Sequence, residues 1–169
     1  MTADEENEDL ATTQHYAAIG HVAAAWAYFE AVVDEWTLKL ANIPTKRGIC
    51  LTAQIAGSAR KLDAFIALAC LKDIGKLAGK LQKFSQNTVG LAERRNRVVH
   101  DPWDTTDILE PSRIEATARK KLRLGRVRVP TKVVLDLAIE VDEHRESFEA
   151  LASEVFSAHH RAQSEKGLG

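Results

Sequence analysis

The sequence lacks the residues that several classes of protein require. It has two cysteines, no glycine-rich phosphate-binding loop and no cluster of Cys and His at zinc-binding spacing. These absences exclude a disulfide framework, a P-loop nucleotide site and a zinc finger. A di-metal bundle needs two Glu-x-x-His halves, whereas Glu140 and His144 are four residues apart and have no second half. We therefore expect no metal and no cofactor.

Long apolar runs and a strong net charge are also missing. The longest uninterrupted apolar run, from Val22 to Phe29, is too short to span a bilayer, and no basic-then-apolar segment follows Met1. The formal net charge of -1 favours no class of partner. We expect a cytoplasmic protein without membrane contact. The two cysteines, Cys50 and Cys70, lie within apolar helical patterns, which predicts buried, reduced thiols.

Apolar residues recur every three or four positions in four segments, which is the spacing of an amphipathic helix. The predicted helices cover about 12–41, 46–70, 72–100 and 131–160. Because the first connections are short, we expect an all-α fold, a four-helix antiparallel bundle.

The ends of the chain differ in composition from the predicted bundle. Five of the six residues 4–9 are acidic, which indicates a frayed tail. We predict an acidic flexible tail over 1–11, one helical domain over 12–160 and a flexible C-terminal tail over 161–169.

The segment 101–130 interrupts the helical pattern with proline and glycine. Residues Leu122 to Val129 alternate apolar and basic, and the phase changes at Gly125. This pattern predicts a basic loop or short hairpin between the third and fourth predicted helices, with a turn or bulge at Gly125. The basic side chains of this segment either bind an RNA backbone or form a solvated loop that pairs with acids. They are Arg119, Lys120, Lys121, Arg123, Arg126 and Arg128.

Arg95 occupies a position in the third helix where the periodicity calls for an apolar residue. An unpaired guanidinium is costly to bury, so Arg95 must face a partner, a cleft or a subunit interface. Asn96 and His100 are four residues apart and share one helical ridge beside it. The helix dipole and neighbouring Asp101 should both favour the charged form of His100.

These three residue types suit phosphodiester cleavage without a metal ion. A histidine transfers protons near neutral pH, an arginine binds phosphate and stabilises developing negative charge, and an asparagine orients either group. The substrate would be RNA, because its 2′-hydroxyl is an internal nucleophile. The alternative is an Arg and a His that cap the last helical turn and pair with acids on the first helix.

The pattern Arg95-Asn96-x-x-x-His100, near the end of a long helix, resembles the RNxxxH motif of the HEPN superfamily. The resemblance implies a helical, dimeric, metal-independent endoribonuclease of toxin–antitoxin, phage-defence or RNA-processing systems. It also implies RNA as substrate, a composite cleft between two copies of the motif and, in some systems, a protein antitoxin. Some of these toxins carry a tyrosine two residues after the histidine, where this chain has Pro102.

Other residues near the motif have two interpretations each. Glu30 either pairs with Arg95 or orients His100, or it is a solvated acid. Trp103 stacks an RNA base or plugs the core. Arg94 and Arg97 bind phosphate or are solvated. His144, within an apolar stripe, is predicted to be a hydrogen-bonded core histidine.

The sequence thus favours a HEPN-like endoribonuclease with Arg95, Asn96 and His100 as catalytic residues. Two alternatives stay open. One is a non-catalytic HEPN-like module that binds RNA or a protein, and the other is a helical scaffold or oligomerisation domain.

Overall fold

The computed structural model describes residues 3–72, 77–107, 111–117 and 122–166. The elements follow one another along the chain as α1 (Ala3–Ala41), α2 (Thr45–Thr52), α3 (Ser58–Leu71), α4 (Ala78–His100), β1 (Trp103–Asp104), β2 (Ser112–Thr117), β3 (Arg123–Arg128) and α5 (Thr131–Lys166).

The described chain is mostly helical with one small sheet, which confirms the predicted all-α character and the hairpin before the last helix. α1 begins at Ala3, so the helix already includes most of the acidic segment placed in the predicted tail. α5 extends to Lys166, beyond its predicted end near residue 160. The outer turns are polar, and apolar periodicity alone does not detect them.

The predicted helix over 46–70 was wrong, because the structure contains two helices there. α2 ends at Thr52 and α3 begins at Ser58, after Gly57 with a φ of 84°. This left-handed conformation strains residues that carry a Cβ and interrupts an α-helix. α2 also passes close to α1, because a Cβ at Gly48 would collide with the side chain of Leu38.

The three strands form an antiparallel sheet in the order β1-β2-β3. The register between β2 and β3 is continuous from Ser112↔Arg128 to Thr117↔Arg123. Gly125 lies inside β3 opposite Glu115, so the predicted turn or bulge at this glycine was wrong. The apparent phase change reflects exposed apolar side chains on β3: Leu124 is 75% exposed.

Contacts between residues divide the chain into two compact units. The first comprises residues 1–26 and 93–142, and it contains the end of α4, the sheet and the start of α5. Its core includes the buried side chains of Val22, Trp26, Val134 and Val141.

The second unit comprises residues 27–92 and 143–169. Its core contains a group of rings in mutual contact: Phe29, Phe65, Phe84, His144 and Phe148. His144 stacks on Phe84 at 4.1 Å between ring centroids, and its Nε2 lies 2.8 Å from Thr88 Oγ1. The Thr88 hydroxyl donates to the Phe84 carbonyl, so it accepts a hydrogen bond from the ring. His144 is therefore a hydrogen-bonded core histidine, as predicted.

Both cysteines are free, but the prediction that they are buried was wrong. Cys50 in α2 and Cys70 in α3 are exposed. The prediction assumed one continuous helix, and the break at Gly57 changes which side of each segment packs inward.

One helical segment in the described part of the chain, Glu6–Ala41, is long and apolar enough to cross a membrane by length and composition alone. Its most apolar stretch is 39% buried within the protein. A core helix of a water-soluble protein satisfies the same criterion. The length of the uninterrupted run from Val22 to Phe29 underestimates the apolar length of this helix. Isolated polar residues divide the helix into short runs without lowering its average hydropathy much.

Candidate functional site

The candidate site lies in the last turns of α4, which ends at His100 as the sequence predicts. Pro102 disfavours helical geometry at Asp101 and so ends the helix. Arg97 and His100 occupy the last turn, where positive charge interacts favourably with the helix dipole.

One atom of Arg95 lies within hydrogen-bonding distance of both other residues of the motif. Its Nη1 donates to Asn96 Oδ1 at 3.0 Å and lies 3.3 Å from His100 Nε2. Because a guanidinium carries only donors, Nε2 must accept this bond through its lone pair. This contact fits a neutral imidazole with its proton on Nδ1.

The described partners of Arg95 are an aromatic ring, an amide and an imidazole. Its Cζ lies 5.9 Å from the ring centroid of buried Trp26, a cation–π distance. Its Nε is buried without a hydrogen-bond acceptor. No ion pair of Arg95 occurs among the residues that the structure describes. Asn96 and His100 are both exposed, so the group combines a half-buried cation with an accessible amide and imidazole.

Asp101 is hydrogen-bonded to two arginines, and its expected effect on the charge of His100 stays a prediction. The Asp101 Oδ2 accepts hydrogen bonds from Arg97 Nη1 at 3.3 Å and from Arg113 Nη1 at 3.1 Å. Arg113 comes from β2, and its side chain is only 13% exposed. Asp101 therefore ties the end of α4 to the sheet. No spacing in the sequence predicts this pair, because strand register decides which residue meets Asp101.

The other polar face of α4 borders a cavity of about 310 Å³ within the first unit. Residues two apart on a helix are about 160° apart around its axis, so Arg94 lies on the far side from Asn96. Arg94 forms a two-pronged ion pair with Glu140 of α5, and the hydrogen bond to Glu140 raises the Arg94 pKa. The cavity is lined by Arg94, Arg97, Val98, Arg113, Val129, Val133, Asp136, Leu137 and Glu140.

Trp103 is a packing residue rather than an open stacking platform. Its Nε1 donates to the Val98 carbonyl at 2.8 Å, and its ring meets His15 edge-on at 4.5 Å between centroids. His15 is 1% exposed, and its Nδ1 is hydrogen-bonded to Thr131 Oγ1. Burial lowers the pKa of His15 and so favours the neutral ring. These contacts favour the core-plug interpretation of Trp103.

The remaining sequence candidates are not gathered around Arg95 by any described contact. Arg97 pairs with Asp101 and Glu115, and Arg126 pairs with Asp104. Arg128 is exposed on β3. Arg119, Lys120 and Lys121 lie outside the described residues, as does the Arg123 side chain. Glu30 belongs to the second unit, so its support of Arg95 or His100 stays a prediction.

Metal ligands are not clustered in the described part of the chain. No group of three or more His, Cys, Asp or Glu side chains is placed there to hold a metal ion.

Comparison with known proteins adds no relative to these observations. No family model, no curated protein and no solved structure matches the chain. The resemblance to the HEPN superfamily therefore rests on Arg95, Asn96 and His100 and on the helix that carries them.

Proposed function

We propose that this chain is a HEPN-like, metal-independent endoribonuclease that cleaves RNA as a cytoplasmic homodimer of four-helix-bundle subunits. Toxin–antitoxin, phage-defence and RNA-processing systems are the settings that the motif suggests. The proposal depends chiefly on one observation: Arg95 Nη1 lies within hydrogen-bonding distance of both Asn96 Oδ1 and His100 Nε2. A fixed cation, an amide and a titratable ring thus meet on an accessible helix end.

In the proposed reaction, the Arg95 guanidinium turns from His100 to the RNA phosphate, and the freed lone pair of His100 Nε2 removes the proton from an RNA 2′-hydroxyl. The 2′-oxygen attacks the adjacent phosphorus, and the bond from phosphorus to the 5′-oxygen breaks. The products are a 2′,3′-cyclic phosphate and a free 5′-hydroxyl, which takes up a proton. A neutral imidazole with its lone pair on Nε2 is the form that this first step requires.

Arg95 supplies electrostatic stabilisation in this scheme. Negative charge builds on the phosphate oxygens as the new bond forms, and a guanidinium donates to two such oxygens at once. Since no described acid pairs with Arg95, its full charge is available to the phosphate. Asn96 accepts from Nη1 and so helps to fix the orientation of the guanidinium.

A second copy of the chain completes the site in this proposal. An isologous two-fold interface brings two identical patches together, so it can place two His100 side chains at one phosphate. One ring then acts as the base, and the other protonates the leaving 5′-oxygen.

The decisive experiment compares wild-type protein with His100→Ala on one RNA, with and without chelator. We expect a loss of cleavage on the order of a hundredfold or more in the variant, 2′,3′-cyclic phosphate ends in the wild-type reaction and no effect of chelator. His21→Ala, which changes an exposed histidine of α1, is the matched control and should cleave normally.

Circular dichroism must show equal helicity for the three proteins, because a misfolded variant would imitate a catalytic defect. Equal cleavage by wild type and His100→Ala would contradict the catalytic role and favour a binding module. Light scattering on a sizing column tests the dimer, since a monomer has the sequence mass of 18.7 kDa.

A further inference from the structure

The outer edge of the sheet is a surface that has no part in the proposed cleavage steps. Within the described residues, β3 pairs with β2 on one side and with no strand on the other. Such an edge presents backbone donors and acceptors in a row and is a template for another strand.

The hydrogen bonds of the sheet identify which backbone groups face outward. Val129 donates to Pro111, its partner in register. Antiparallel pairs alternate between bonded and non-bonded, so the backbone groups of Val127 and Gly125 face β2. The N–H and C=O groups of Leu124, Arg126 and Arg128 therefore point away from the sheet. Three residues at alternate positions thus have backbone groups available to hydrogen-bond a further strand.

The side chains of these three residues share one face of the strand, because alternate residues point the same way. Leu124 is 75% exposed, and the Arg126 side chain is 67% exposed although it pairs with Asp104. Arg128 is exposed as well. A strand that pairs with this edge would meet one apolar and two cationic side chains on that face.

We propose that the β3 edge binds an extended acidic segment of a partner protein, which adds to the sheet as a fourth strand. The segment carries acids opposite Arg126 and Arg128 and an apolar residue opposite Leu124. Opposite charges directly across an antiparallel pair are favourable, and like charges are not. This inference is independent of the ribonuclease proposal.

Other occupants fit the edge less well. Self-pairing centred on Arg126 places Arg126 opposite itself, which is unfavourable. The acidic start of this chain is helical from Ala3, so it is not an extended strand. An RNA phosphate carries only acceptors and leaves the outward carbonyl groups without donors, and β3 contains no aromatic side chain on which a base could stack.

The probe is a fluorescein-labelled peptide, Glu-Val-Glu-Thr-Leu-Thr with capped ends, titrated with the full-length protein by fluorescence anisotropy. In antiparallel register its two glutamates lie opposite Arg128 and Arg126. We expect saturable binding and about tenfold weaker binding when both glutamate nitrogens are methylated, because methylation removes two ladder hydrogen bonds and keeps the charge. Equal binding of the methylated peptide would overturn the proposal, as would no binding by the unmodified one.

A charge swap tests the pairing from the protein side. Arg126→Glu with Arg128→Glu should weaken binding of the glutamate peptide at least tenfold, and a peptide with lysines in place of the glutamates should then bind the variant better than the wild type. Arg47→Glu with Arg60→Glu, which changes two exposed arginines elsewhere by the same charge, should bind the glutamate peptide as wild type does.

Labelled oligouridylate is titrated in parallel to distinguish a nucleic-acid surface. If the Arg126 and Arg128 substitutions weaken oligouridylate binding while the peptide affinity is unchanged, the edge contacts RNA and the proposal fails. If the double variant unfolds the hairpin, the comparison of the methylated with the unmodified peptide still tests the proposal, because that comparison requires only wild-type protein.

Discussion

Arginine side chains lie on both polar faces at the end of α4, and the two faces give them different electrostatic surroundings. On one face, Arg94 and Arg97 are each held by acidic side chains. On the other face, the hydrogen bonds of Arg95 within the described part of the chain go to an amide and an imidazole, those of Asn96 and His100. A neutralised guanidinium stabilises a fold, whereas an uncompensated one can bind an anion. We therefore expect neighbouring arginines on one helix to differ in function.

The strongest test of this contrast replaces one arginine on each face. Arg95→Gln should reduce RNA cleavage a hundredfold to a thousandfold, because it removes the charge that stabilises the transition state. Arg94→Gln should change cleavage less than about threefold, since Glu140 already engages Arg94. Both rates are measured at saturating RNA. Equal losses in the two variants would mean that the faces do not differ in function.

We expect the face that carries Arg94 and Arg97 to contribute to the stability of the fold rather than to cleavage. Asp101→Asn removes the charge that holds Arg97 and the nearly buried Arg113. Urea unfolding should show a loss of about 2 kcal/mol in the free energy of unfolding, because a buried cation loses its counterion and keeps a hydrogen-bond acceptor. Glu154→Gln, at an exposed ion pair with Lys80, should cost less than about 1 kcal/mol. A loss no larger than that of Glu154→Gln would show that Asp101 is not a structural anchor.

Trp103 offers a milder test, because it lies directly after the motif and contacts the fold rather than Arg95. Trp103→Phe keeps an aromatic ring and removes the hydrogen bond to the Val98 carbonyl. We expect a loss of about 1 kcal/mol in unfolding free energy and cleavage within about twofold of wild type. A large rise in KM with unchanged stability would instead indicate that Trp103 stacks a base.

The smallest expected effect is a pH dependence of stability that arises from His15. Because burial lowers the folded-state pKa of His15 below its ordinary value of 6.5, the unfolded chain binds a proton more readily than the folded one. Stability should therefore fall as the pH decreases below about 6.5. The urea midpoint of His15→Gln should depend less on pH in this range, whereas His21→Gln, at an exposed position, should follow wild type. Parallel profiles for all three proteins would contradict the assignment.

Periodicity was sufficient to predict helix ends where a local signal marks them. Pro102 fixes the end of α4, and Pro130 precedes α5. Gly57 was missed because the apolar spacing continues across it, and only the positive φ reveals the break. Gly125 was misinterpreted for the opposite reason: glycine permits a turn but does not require one, and the cross-strand partner Glu115 keeps it extended.

The candidate site was predictable where its residues are close in sequence. The geometry of a helix places Asn96 and His100 on one ridge, so a sequence pattern is enough to propose that these two residues are neighbours. The contacts of Arg95 with both depend on the length of its side chain, which the spacing does not predict. The role of Asp101 depends on Arg113, which is brought to it by the register of the sheet. His15 and Trp103 meet through tertiary packing, and no spacing rule relates residues so distant along the chain.

Only Val129 and Pro130 separate β3 from the first residue of α5, Thr131, whose hydroxyl bonds to His15. His15 in turn lies edge-on against Trp103. The connection between β3 and α5 is short and stiffened by proline. A strand that binds to β3 should therefore affect the surroundings of the Trp103 indole ring. In a variant with Trp26 and Trp36 replaced by phenylalanine, Trp103 is an intrinsic optical reporter, and a shift in its emission is the expected sign of an occupied sheet edge.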